Sequence, residues 1–77
     1  MTEAEWVRIF GDNLVSILSE YRMTQRELAD RAGLSEATIS KYIHKQIAPS
    51  VFAVINIADA LDMSIDELID FGSRIVG

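Results

Sequence analysis

Apolar side chains recur at helical spacing along nearly the whole chain, and no stretch of useful length alternates as a strand does. The first segment runs from about Glu5 to Tyr21, where Trp6, Phe10, Leu14, Leu18 and Tyr21 form a stripe that Val7 and Ile17 widen. Gly11 interrupts it, at a cost of about 1 kcal/mol relative to alanine. Thr24 with Glu27 three residues on has the spacing of a capping box and opens a second helix. Gly33 stops that helix after Leu28, Ala29 and Ala32. Ser35 is the next cap, starting a helix to about Lys45 with Ile39, Tyr42 and Ile43 on its apolar side. Gln46 to Ser50 holds the only proline, Pro49, and reads as a loop. Ser50 caps a fourth helix with Val51, Val54, Ile55, Ala58 and Leu61, and Ser64 with Glu67 opens a fifth with Ile65, Leu68, Ile69 and Ile75. The pattern predicts an all-α, compact five-helix bundle forming one domain over residues 1–77.

The pair of short helices at about 24–45 is the most specific feature. Two helices joined by a turn of about three residues containing glycine make a helix-turn-helix. Gly33 can take positive φ without steric cost. Ala29 is small enough to let the second helix approach, and Leu34 and Ile39 fill the angle between the two. The helix from Ser35 then keeps a largely polar outer surface of Ser35, Glu36, Ala37, Ser40, Lys41 and His44. In this motif the start of the second helix enters the major groove of DNA while the first crosses the backbone.

The chain resembles the Cro and lambda-type repressor family of helix-turn-helix domains, the XRE-like regulators, over roughly residues 10–70. The resemblance is carried by Met23-Thr24-Gln25, Glu27-Leu28-Ala29, Gly33-Leu34-Ser35, Ile39-Ser40-Lys41-Tyr42, Pro49-Ser50, Ile57-Ala58-Asp59-Ala60-Leu61 and Ser64-Ile65-Asp66-Glu67-Leu68, in that order. It implies a lambda-repressor-like fold and a transcriptional regulator, by default a repressor, that binds a palindromic double-stranded DNA operator as a homodimer. It also implies roles for particular residues. Gln25 stands where the family's glutamine donates to a phosphate at a helix N-terminus, a position that suits an anion. Thr24 and Arg26 flank it. Ser35, Glu36 and Ala37 occupy base-reading positions, with Lys41 one turn further along. Lysine donates to guanine, glutamate accepts from cytosine N4, and alanine touches a thymine methyl. Thr38, Ser40, His44 and Lys45 fall where phosphate partners are expected.

Each of these positions has a plainer reading as well. Ser35 is a cap whether or not it reads a base, Glu36 favours the helix dipole, and exposed lysines need no partner. The chain departs from the family where a glycine usually follows the recognition helix, here Lys45, and where a basic residue often precedes the proline, here Ile47. Leu18 and Ile43 occupy the places of a buried Arg–Glu pair found in many relatives. Replacing both partners strands no charge, and such swaps are often neutral or stabilising.

Charge qualifies the picture. The net charge is −5, which is unfavourable for phosphate contacts taken as a sum. Five of the seven basic residues, however, fall within residues 22–45 (Arg22, Arg26, Arg31, Lys41 and Lys45), against Glu27, Asp30 and Glu36. Residues 46–77 carry Arg74 against five acids. A basic face on an acidic body fits charge-steered binding. With no cysteine there is neither a disulfide framework nor a thiolate metal site. Residues 1–5 hold two glutamates and no base, and no apolar run approaches the ~20 residues of a membrane span, so a cytoplasmic protein without a membrane partner is expected.

Catalysis finds no support: there is one histidine and no glycine-rich loop ahead of a helix, so no enzyme activity, cofactor or small-molecule ligand is expected. Asp62, Ser64 and Asp66 alternate as in a calcium loop, but Glu67 stands where that loop needs glycine and Ser73 where it needs glutamate. The competing reading is a helix-turn-helix fold that has given up DNA for a protein partner. For the dimer, Phe71, Ile75 and Val76 offer an apolar C-terminal contact; alternatively the first and fifth helices pack together and use these side chains to close the core.

Overall fold

The computed structural model describes the backbone of residues 1–76 and the side chains of residues 1–71. It contains five helices and, among the described residues, no strand: α1 (Glu3–Glu20), α2 (Gln25–Ala32), α3 (Glu36–Ile43), α4 (Val51–Ala60) and α5 (Ile65–Val76). The element order is that read from the sequence, and each helix opens on a hydroxyl cap. Thr24 Oγ1 accepts from the Glu27 amide at 3.1 Å while Glu27 Oε1 accepts from the Thr24 amide at 3.0 Å. Ser64 and Glu67 repeat this exchange at 3.1 Å each way. A third capping box, Thr2 with Glu5, starts α1 two residues earlier than its apolar stripe suggests.

The first four helices end alike. In each, the last turn closes with a pair of amide-to-carbonyl bonds around a residue of left-handed backbone, the arrangement of a Schellman motif. After α1 the Met23 amide donates to Leu18 O (2.9 Å) around Arg22; after α2 the Leu34 amide donates to Ala29 O (2.9 Å) around Gly33. After α3 the Gln46 amide donates to Lys41 O (2.9 Å) around Lys45, and after α4 the Met63 amide donates to Ala58 O (3.0 Å) around Asp62. The residues concerned have φ of 52° (Arg22), 69° (Gly33), 61° (Lys45) and 54° (Asp62). Glycine fills only one of these four positions. The third helix therefore ends at Ile43, short of the predicted Lys45, because Lys45 is the reversing residue that stops it.

The core gathers Phe10, Leu14 and Ile17 of α1, Leu28, Ala29 and Ala32 of α2, Ile39 and Tyr42 of α3, Ala53, Val54, Ile57 and Ala58 of α4, and Leu68 and Phe71 of α5. Helix α1 lies against α3 and α5, and α4 against α2 and α5. Trp6, Phe10 and Tyr42 form an aromatic chain, Tyr42 standing edge-on to Phe10 at 5.8 Å. Leu18 and Ile43 are both half-buried against the core.

The structure decides between the two readings of the C-terminal segment for Phe71, and it orients apolar side chains that the sequence pattern left open. Phe71 is not a free dimer contact: it is buried, with Tyr21 standing edge-on to its ring at 6.2 Å. It is drawn inward because α5 packs on α1, which was the alternative reading of this segment. Ile75 and Val76 lie outside the residues whose side chains are described. Tyr21 itself is exposed and covers Phe71 from the rim. In α4, Val51 and Ile55 face outward, while Ala53 and Ile57 occupy the inner positions. Apolar side chains lie on both sides of that helix, so their spacing alone does not say which side is inward.

Two polar or small positions in α1 hold the bundle together. Gly11 packs against the end of α3 so closely that a Cβ there would lie 2.7 Å from Tyr42 O and 3.3 Å from Ile43 O. The glycine that weakens α1 as a helix is what lets α3 approach it. Asn13, 3% exposed, donates through Nδ2 to Leu68 O (3.1 Å) and Ile69 O (2.7 Å), fastening α5 to α1 across the interior.

Candidate nucleic-acid interface

Helix α2 ends at Gly33, whose φ of 69° and ψ of 29° turn the chain, and Leu34 packs half-buried into the angle before Ser35 caps α3. Ala29 and Ile39 are both buried where the helices meet, as their sizes require. Each side of the corner is closed by a hydrogen bond: the Leu34 amide donates to Ala29 O before the turn, and Ser35 Oγ accepts from the Thr38 amide at 3.1 Å after it.

Helix α3 is two-faced. Ile39 and Tyr42 are buried and Ile43 half-buried on its inner side. At 3.6 residues per turn, Glu36, Ala37, Ser40, Lys41 and His44 share the opposite side. Glu36, Ala37, Lys41 and His44 are exposed there, and Ser40 is half-buried. The structure thus brings these five predicted residues onto one surface. Ser35 and Thr38 lie at its leading edge, engaged with each other through hydroxyls 2.8 Å apart. His44 turns back along the helix, with Nδ1 2.8 Å from Ser40 O.

The start of α2 supplies the neighbouring group. Gln25, its first residue, is half-buried and Arg26 is exposed. The Thr24 hydroxyl is occupied by its capping bond, so it is a structural group first. The Glu27 carboxyl is held below its ordinary range chiefly by the hydrogen bonds from the Thr24 backbone and side chain, with Arg31 adding to the effect. It stays ionised in its cap instead of offering a proton.

Two features were not legible as parts of this surface. Arg22 is exposed at the reversal between α1 and α2, two residues ahead of the Thr24 cap, so a further cation stands close in the chain to the start of α2. Its only sequence signal was its membership of the basic middle third. Lys45, expected beside His44, is instead tied to α1: its Nζ lies 2.9 Å from Oδ1 of Asp12. Asp12 is also 3.9 Å from Arg8.

A short helix, a glycine turn and a second helix with one buried and one open side define a helix-turn-helix protein. The family description "Helix-turn-helix" matches residues 18–68, from the last part of α1 to the first turn of α5, and the chain belongs to that family. Two relatives are named as regulators of transcription. The cryptic phage CTXphi transcriptional repressor RstR of Vibrio cholerae is 42% identical over 45 residues, covering 58% of this chain and 40% of its own length. An uncharacterized HTH-type transcriptional regulator, YqaE, of Bacillus subtilis is 30% identical over 61 residues, covering 79% of this chain and 53% of its own length. The chain spans about half the length, or less, of these relatives. No helix among the described residues is long and apolar enough to cross a membrane.

Proposed function

We propose that this protein is a sequence-specific double-stranded DNA-binding regulator, a cytoplasmic repressor that lays α3 in the major groove of a palindromic operator and acts as a pair. The observation that carries this reading is the open side of α3. Its donors and acceptors are free of the core, while Ile39 and Tyr42 on the other side fix the helix to the body. Glu36, Ala37 and Lys41 are the base readers. Ser35, Thr38, Ser40 and His44 serve the flanking backbone, and Thr24, Gln25, Arg26 and Arg22 serve the phosphates along the start of α2. Lys45 joins them only by giving up Asp12, so its contribution is smaller than that of Lys41. The likeness to a phage transcriptional repressor supports repression over activation. No catalytic role is assigned, and no metal or small molecule is needed for this mechanism.

Selection from random oligonucleotides, repeated with Lys41→Ala and Gln25→Ala, tests the reading. An inverted repeat with half-sites about one helical turn apart is expected. Lys41→Ala should relax one base position, whereas Gln25→Ala should weaken all sequences alike. If nothing is enriched even at low salt, where phosphate attraction is strongest, the DNA reading fails and the fold serves as a protein-interaction module.

A further inference from the structure

We propose that the outward face of α4, formed by Val51, Phe52 and Ile55, is the surface through which two copies of this chain associate. Val51 is 76% exposed, Phe52 68% and Ile55 41%, and they share one side of the helix at spacings of one, three and four residues. Ile47, 42% exposed, precedes them in the loop that leads into α4. The other exposed large apolar side chains among the described residues are scattered singly along α1 and α5 or at Met1. The first turn and a half of α4, Val51 to Ile55, is apolar on every side, which is the pattern of a covered segment, and Asn56 and Asp59 bring polar groups to the outer side only beyond it.

Charge selects the occupant. Residues 46–58 carry no ionisable side chain, the longest such run in a chain of net charge −5. Two acidic copies repel one another across most of their surfaces, and here they can meet with like charge confined to Asp59 at the rim. Phosphates find no cation on this face, so it is not an extension of the nucleic-acid surface. A lipid surface is also a poor match, because the residues that follow on α4 and its turn are Asp59 and Asp62, and anionic headgroups attract bases.

Size agrees. Taking ordinary side-chain areas, the four apolar residues offer roughly 400 Å² per copy, a patch within the range that is often functional. A standard interface takes about 800 Å² from each partner, so Ala48, Ser50, Asn56 and Asp59 would form the rim. A modest, reversible dimer follows. This inference gives a surface to the pair invoked in the proposed function, and it is measured without DNA, so the two can fail separately.

Sedimentation equilibrium of the full chain, from about 5 μM to 1 mM, is the test. A monomer–dimer equilibrium is expected whose affinity holds or rises with added salt, opposite to the trend for phosphate contacts. Phe52→Glu should weaken it ~30-fold or more with unchanged thermal unfolding, because the side chain lies outside the core. Val51→Lys, at the most exposed of the three positions, should do the same, while Val15→Glu on α1 should leave the dimer intact. A chain that stays monomeric at 1 mM, or a dimer that survives both α4 substitutions, overturns the proposal. Binding to neutral phosphatidylcholine vesicles without self-association overturns it in favour of a lipid.

Discussion

Lys45 Nζ reaches Asp12 Oδ1 at 2.9 Å, joining the turn after α3 to the middle of α1. The pair sits beside the tight approach of α3 to α1 at Gly11, so the end of the candidate recognition helix is held at one place by both packing and charge. Lys45 does this from a left-handed backbone conformation, φ 61°, which costs an ordinary residue about 1–2 kcal/mol. Exposed ion pairs return only about 0.2–1 kcal/mol, so the pair does not fully offset the strain.

Replacing the strained residues by glycine should therefore stabilise the fold, by amounts that reveal their partners. Asp62→Gly should gain about 1 kcal/mol, raising the melting temperature by roughly 4–8 °C. Lys45→Gly should gain less, because it also releases Asp12. Thermal unfolding followed by circular dichroism compares the two. A gain for Lys45→Gly that is unchanged in an Asp12→Ala background would show that the ion pair contributes nothing.

Gly11→Ala should destabilise the protein even though alanine is the better helix former. The helix gains about 1 kcal/mol in propensity, but the new Cβ meets a backbone carbonyl that cannot rotate aside, and overpacking of this kind costs about 1–3 kcal/mol. Urea denaturation should show a lower midpoint. DNA binding should weaken along with it, since α3 must shift to relieve the clash.

Asn13→Ala should cost about 1–3 kcal/mol, because Leu68 and Ile69 lose a buried donor. Asn13→Asp should be worse near neutral pH, where a carboxylate would face the same two carbonyl oxygens. Lowering the pH to protonate it should narrow the gap between the two variants in chemical unfolding, as the acid then supplies one donor.

The Glu27 cap predicts an acid-dependent stability. Its folded pKa lies below the ordinary 4.5, so the unfolded chain takes up the proton first as pH falls. The cap's electrostatic contribution is thus fully present well above 4.5 and is lost as pH falls below 4.5 through the folded pKa. Wild type and Glu27→Gln should converge in stability across that acid range. A difference that stays constant from pH 7 to well below 4.5 would contradict an ionised cap.

The existence and order of the helices were legible because their signals are local. A hydroxyl at Thr24, Ser35, Ser50 or Ser64 satisfies an amide three residues on, and Gly33 supplies a conformation that its own lack of a Cβ permits. The open side of α3 was equally legible, because Ile39 and Tyr42 alternate with polar residues at helical period. Lys45 was not: its identity gives no hint of left-handed backbone, which the packing of α3 against Gly11 and Asp12 accompanies.

What the amino-acid sequence alone determined, then, was where the helices start, where α2 turns into α3, and which side of α3 stays polar. These follow from bonds and preferences between residues a few positions apart. Only the tertiary structure decided that Phe71 closes the core, that Asn13 binds carbonyls more than fifty residues away, and that α4 buries Ala53 and Ile57 while leaving Val51 and Phe52 outside. In α4 both sides are apolar, so the hydrophobic effect by itself gives no preferred direction. The side that α2 and α5 cover is the one carrying Ala53, Val54, Ile57 and Ala58, and that choice is made by the neighbouring helices.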